Sequence, residues 1–122
     1  MPVLETSADM SSAEFAANTQ AMRGLVADLR EKAAWIAEGG GAAAREKHLA
    51  RGKMTARQRI DALVDPLSPF LEIGQFAAFD LYDGEAPCAG VVAGVGRIHG
   101  RACMIVANDA TVKGGAYFPL TV

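Results

Sequence analysis

Two stretches of this sequence carry residue types suited to an anionic ligand. Arg45, Lys47, Arg51, Lys53, Arg57 and Arg59 fall within fifteen positions that hold one acid, Glu46. Cationic groups at that density suit a polyanion: the phosphates of a coenzyme, RNA, or an acidic partner surface. They could equally form a solvated face, balanced by residues 60–96, which hold six acids and no Lys or Arg. The second stretch is Asn108-Asp109-Ala110-Thr111-Val112-Lys113-Gly114-Gly115, a polar, glycine-bearing loop that follows an apolar run. Ligands meet a sheet at such loops. Lys113 is a candidate phosphate partner, and Gly114-Gly115 would admit a ligand close to the backbone.

Other chemistries lack their parts. There is no Gly-x-Ser-x-Gly, Walker loop or His-Glu-x-x-His. Gly90, Gly94 and Gly96 superficially resemble a nucleotide loop, but they sit in a strand pattern, where close packing is the better reading. Cys88, Cys103, His48 and His99 are too scattered to form a metal site, and the cysteines read as reduced thiols. Asp61 and Asp65, four apart, read as surface solubility. A net charge of −2 gives no global pull toward nucleic acid or anionic membrane. RNA binding through the basic cluster would need interleaved aromatics, and none lies between Trp35 and Phe70. The start, Met1-Pro2-Val3-Leu4-Glu5, lacks the basic region and apolar run of a secretory signal, and its acids argue against a transit peptide. No run of about 18 apolar residues is present. The expectation is a cytoplasmic bacterial protein, with the mitochondrial matrix second.

The elements that must position these residues are legible from periodicity. Apolar residues at Phe15, Met22, Val26, Leu29, Ala33 and Ile36 form a narrow stripe, predicting a long helix over 12–38 that Ser11 or Ser12 caps and Gly39-Gly40-Gly41 ends. That stripe suits either packing within its own domain or contact with another subunit. Residues 42–65 predict short basic helices. Gly52 separates them, Thr55 and Gln58 form a capping box, and Asp65-Pro66 is a stop. From residue 68 the character turns to β: a short strand near Phe70–Ile73, a polar loop over 80–87, and two apolar runs, 91–98 and 102–107, joined by a His99-Gly100 turn. The second run is expected to be buried on both faces. A hairpin alone is too small a sheet, so further strands are expected after residue 122.

These segments together resemble a known family. Arg51-Gly52-Lys53-Met54-Thr55-Ala56-Arg57-Gln58-Arg59-Ile60 is similar to the Arg-Gly-Lys opening of biotin-dependent acyl-CoA carboxyltransferase β subunits. Asp65-Pro66, Ser68-Pro69-Phe70-Leu71-Glu72 and Tyr82-Asp83-Gly84 continue the likeness. The run Ala107–Pro119 resembles the methylcrotonyl-CoA carboxylase branch. Propionyl-CoA relatives usually read Asp-Phe-Thr-Val-Phe-Gly-Gly there, so Lys113 and Tyr117 favour the methylcrotonyl branch, with geranyl-CoA carboxylase still open. The likeness covers roughly residues 12–122. It departs at Gln58, where Glu is usual, and at Leu67, where Gly is common.

The resemblance implies an α/β, crotonase-like (ClpP/crotonase) carboxyltransferase domain, of which residues 1–122 are the N-terminal part: helices first, then the start of a β-rich core. It implies a biotin-bearing partner, the biotin carboxylase/biotin carrier α subunit, and contact with other β subunits. The implied reaction moves CO2 from carboxybiotin to 3-methylcrotonyl-CoA in leucine breakdown, or to geranyl- or propionyl-CoA as alternatives. No metal is implied in this chain. The thioester enolate and the biotin ureido oxygen both need oxyanion stabilisation. In the family the glycine-rich loops whose backbone N–H pairs supply it come later in the chain, so no catalytic residue is expected here and the piece alone is expected to be inactive. By analogy Asn108, Asp109, Thr111, Lys113, Gly114 and Gly115 would contact acyl-CoA, and Arg51, Lys53 and Arg57 a phosphate or a partner. The competing reading is a helical interaction module, using the 12–38 helix and the basic cluster.

Overall fold

The structure is a computed structural model that describes residue 3 and residues 5–121. The readings made on Met1, Pro2, Leu4 and Val122 lie outside the described residues. The chain divides into two compact units, Met1–Lys32 and Ala33–Val122.

The first unit contains most of helix α1 (Ala13–Ala37). The Ser12 hydroxyl accepts from Phe15 N–H at 3.1 Å, satisfying one donor of the opening turn. Lys32 and Asp28 pair at 2.8 Å, four residues apart on one face. Met22 and Leu29 of the apolar stripe are exposed, as is Leu25 beside it.

The second unit begins in the last turn of α1, where Ile36 is buried. It continues through α2 (Ala42–Leu49), α3 (Ala56–Leu63), and strands β1 (Leu71–Ile73), β2 (Val91–Ile98) and β3 (Arg101–Asn108). The α3 capping box forms as read: Thr55 N–H donates to Gln58 Oε1 at 2.9 Å, and Gln58 N–H to Thr55 Oγ1 at 3.3 Å. Glutamine reaches the backbone as glutamate would, so the departure at position 58 leaves the cap intact. Ala56 and Ile60 of α3 pack on Val92, Ile105 and Ala107 of the sheet, which is the main core.

The sheet is antiparallel with order β1-β2-β3. β2 and β3 turn at His99 (φ 48°) and Gly100 (φ 76°), with Ile98 opposite Arg101. Two positive φ values in a two-residue loop match the right-handed twist of the strands. Asp65, past the end of α3, clamps this turn: its carboxylate accepts from His99 N–H at 2.6 Å and Gly100 N–H at 2.8 Å. Asp65 is therefore a structural acceptor rather than a solubility residue. Glycine is required at Gly94, where a Cβ would collide with the Leu71 carbonyl and the Phe70 ring. The close-packing reading holds for Gly94 and Gly96, whereas Gly90 lies in a 3₁₀ turn before β2, where a Cβ would meet ordinary contacts at 3.7 Å.

Two expectations are corrected. β3 is buried on one face only: Ile105 and Ala107 are 7% exposed, but Met104 is 63% and Val106 66% exposed. Side chains alternate along a strand, and α3 covers one side; no second layer covers the other among the described residues. The 80–87 segment is more tightly wound than a plain polar loop. It holds two 3₁₀ turns, Tyr82–Gly84 and Pro87–Gly90, and packs Ala78, Ala86 and Ala89 against Tyr82 and Phe118.

Candidate functional site

β3 delivers the chain into the Asn108–Gly115 loop, and internal bonds fix the loop's shape. Asp109 N–H donates to the Gly90 carbonyl at 2.9 Å. The Asp109 carboxylate accepts from Thr111 N–H at 2.9 Å and from the Thr111 hydroxyl at 2.6 Å. Asn108 Nδ2 closes the loop by donating to the Gly115 carbonyl at 3.0 Å. Val112 points inward, 1% exposed. Lys113, Gly114 and Gly115 all take positive φ (46°, 71° and 86°), a run that glycine makes tolerable at its last two positions.

The six loop residues read as one binding set thus divide. Asp109 and Thr111 hydrogen-bond within the chain, while Asn108 does so through Nδ2 and leaves its buried Oδ1 without a partner. Lys113 and Gly114 are exposed, and a Cβ on Gly114 would meet nothing within 4 Å. Lys113 stands at the rim of an open cleft of about 430 Å³, whose wall includes Trp35, Gly40, Glu85 and Thr111. Across the rim its ammonium pairs with Glu85 at 2.7 Å, both side chains about half exposed.

The basic cluster divides as well. Arg57 turns inward and forms a two-pronged pair with Glu72 of β1, at 2.6 and 2.8 Å. That carboxylate holds the guanidinium proton more firmly than usual. Arg57 was expected to meet a phosphate or a partner; its two terminal nitrogens are instead taken by Glu72, so its charge is answered within the chain. Arg45 is paired with Glu38. Arg51, Lys53 and Arg59 remain exposed. Lys53 and Arg59 line a second open cleft of about 520 Å³ together with His48, Asn108 and Ala110. The basic segment and the loop therefore meet there, at a cleft that shares no lining residue with Lys113's. His48 holds the intervening turn through Nε2 to the Met54 carbonyl at 3.0 Å.

Sequence reasoning missed three participants. Glu72 receives Arg57 and sits 3.8 Å from Cys88 Sγ. Burial, then the Glu72 charge, pushes the Cys88 thiol up to about 11, so Cys88 is an unreactive thiol at neutral pH. Glu85 answers Lys113. Gly40 donates its N–H to Thr111 Oγ1 at 3.0 Å. The triple glycine is a visible signal, but its partner is 71 residues away in sequence, so from sequence it reads as a helix stop only. Among the described residues no group of His, Cys, Asp and Glu could hold a metal ion, and no helix is long and apolar enough to cross a membrane.

The helices, the three-stranded sheet and this loop form an α/β unit. The chain belongs to the carboxyl transferase domain family, which matches residues 47–122. It is 55% identical over 82% of its length to a biotin-dependent 3-methylcrotonyl-coenzyme A carboxylase beta1 subunit of Mycobacterium tuberculosis, covering 19% of that protein. It is 49% identical over 98% of its length to a probable mitochondrial methylcrotonoyl-CoA carboxylase beta chain of Drosophila melanogaster, covering 21% of it. Among solved structures, the beta subunit of geranyl-CoA carboxylase from P. aeruginosa superposes with a TM-score of 0.83 at 34% identity, over 95% of this chain and 22% of that one. The crotonase-like expectation holds. The chain spans about a fifth of the length of the curated relatives it matches.

Proposed function

We propose that this chain is the N-terminal part of a carboxyltransferase that moves CO2 from carboxybiotin to 3-methylcrotonyl-CoA in leucine breakdown, and that it forms one wall of the coenzyme A site. The observation that carries the reading is Lys113: an exposed ammonium at a cleft rim, on a loop whose neighbours are locked internally. In this role Lys113 meets a phosphate of the coenzyme, and Gly114 lets it lie against the backbone. Lys53 and Arg51 face a phosphate or a partner subunit. Geranyl-CoA is the next substrate in line, given the likeness to a geranyl-CoA carboxylase.

Carboxybiotin, carried by an α subunit, would supply the CO2. The loop's inward-bonded N–H groups are not open to the biotin ring. A ureido oxyanion needs paired free N–H donors, and the N–H groups of Asp109, Thr111, Val112, Gly115 and Ala116 are all spent inside the chain. The reading therefore gives this chain binding and positioning, and no catalytic residue. A cytoplasmic location and contact with further β subunits belong to the same proposal.

Calorimetric titration of coenzyme A into the chain and into Lys113→Ala tests it. Binding that weakens severalfold in the variant is expected. Equal affinity in the two would remove Lys113 from the site. A folded, monomeric chain that binds no coenzyme A would favour the interaction-module reading, for which the exposed Met22, Leu25 and Leu29 of α1 speak.

A further inference from the structure

The glycine turn after α1 and the Asn108–Gly115 loop touch more closely than packing alone requires. Gly40 N–H donates to Thr111 Oγ1 at 3.0 Å, and that hydroxyl donates in turn to Asp109 Oδ1 at 2.6 Å. The direction is fixed by chemistry: the carboxylate can only accept, so the Thr111 proton points to Asp109 and a lone pair is left for Gly40. A hydrogen bond ending on an ionised group is short and strong. Thr111 is a buried polar side chain, 7% exposed, which makes its satisfaction costly to lose.

Steric fit points the same way. A Cβ on Gly40 would overlap the Thr111 carbonyl, and one on Gly39 would lie 2.5 Å from Asp109 Oδ2 and 2.8 Å from Thr111 Oγ1. A Cβ on Gly41 would meet nothing within 4 Å, so the third glycine serves only its φ of 83°. Two of the three glycines are thus small because the loop lies against them. Gly40 and Thr111 both line the cleft at whose rim Lys113 stands, and Thr111 is two residues before it.

We infer that Gly40, Thr111 and Asp109 form a latch that fixes the conformation of the Asn108–Gly115 loop. Asp109 and Thr111 are then positioning residues, not ligand contacts, and Lys113 is presented at the cleft because the latch is closed. The ligand consequence rests on the coenzyme A reading above; the latch itself does not.

The test uses the 122-residue chain with Thr111→Val, which keeps the shape and removes the hydroxyl, and Thr111→Ser, which keeps the hydroxyl. Amide hydrogen exchange is read at Gly40 and Gly115, alongside the dissociation constant for coenzyme A. In Thr111→Val, protection is expected to fall roughly tenfold at both amides, the worth of one hydrogen bond, and coenzyme A binding to weaken by a similar factor. Thr111→Ser should restore all three. Loss of protection at Gly40 with Gly115 unchanged would overturn the latch. Lost protection at both amides with coenzyme A affinity unchanged would overturn the claim that the latch presents Lys113 to the ligand. Should Thr111→Val not fold, Asp109→Asn, which removes the anionic acceptor, must lower both protections together, and a fall at one amide alone is again fatal. A wild-type chain that binds no coenzyme A would refute the coenzyme A reading, and the exchange data would still decide the latch.

Discussion

The Arg57–Glu72 pair decides between two uses of the basic cluster. Arg57 was expected to serve a phosphate, and the structure gives it a partner in β1. The two side chains are 30% and 16% accessible, joined by two charge-assisted hydrogen bonds of 2.6 and 2.8 Å. Exposed pairs contribute at most about 1 kcal/mol, while removing one partner of a buried pair costs about 3–5 kcal/mol. This pair lies between those limits, so Arg57→Met should destabilise by about 2 kcal/mol. With a urea m-value of about 2 kcal/mol/M, the unfolding midpoint falls by about 1 M. A double-mutant cycle with Glu72→Gln isolates the pair itself, and a coupling of about 1–2 kcal/mol is expected. Arg57→Lys should recover only part, because a point charge cannot make the two-pronged contact. A coupling below about 0.3 kcal/mol, together with weaker coenzyme A binding by Arg57→Met, would refute the structural reading and return Arg57 to the phosphate.

Three further outcomes are expected. The N–H groups of Gly100 and then His99 hold the Asp65 carboxyl below its ordinary range. Its stabilising effect is therefore present above the unfolded value of about 4 and lost as pH falls through the lowered folded value. Urea midpoints measured from pH 6 to pH 2 should fall less steeply in Asp65→Asn than in the wild type, and parallel curves would exclude the clamp. Burial raises the Cys88 thiol from 9.0 to about 11, so the folded chain keeps that proton after the unfolded chain has lost it. Stability should decline between those two pH values, and in the folded chain at pH 8 a thiol-specific disulfide reagent should label Cys103 well before Cys88; equal rates would contradict the burial. Glu85 competes with any phosphate for Lys113, so Glu85→Gln should tighten coenzyme A binding a fewfold at low salt, and a weakened complex would show that Glu85 itself contacts the ligand.

What the sequence discloses tracks the range of the interactions. The Thr55–Gln58 capping box and the His99-Gly100 turn are readable because each closes within four residues. The Arg57–Glu72 pair spans fifteen residues, so the cation looked free among its neighbours. Asp65 reaches the hairpin tip across thirty-four, and its proximity to Asp61 suggested a solvated face. β3 was overread for a different reason: a run such as Met104-Ile105-Val106 is equally apolar with one layer against it or two. The Asn108–Gly115 loop was located correctly as a segment, yet residue type could not tell which side chains turn outward. Polar residues following a strand serve the loop's own turn as readily as a ligand.

That division bears on what the loop can recognise. The N–H groups of Asp109, Thr111, Val112, Gly115 and Ala116 are bonded within the chain, and so are the side chains of Asp109 and Thr111. A ligand bound as proposed would meet the Lys113 charge, the open surface at Gly114, and the shape of the two clefts. Such a surface reads charge and contour. A rigid wall of this kind helps a transfer reaction by holding the substrate where groups on other elements can act. The internal bonds give the wall its fixed geometry before any ligand arrives, which lowers the ordering cost of binding.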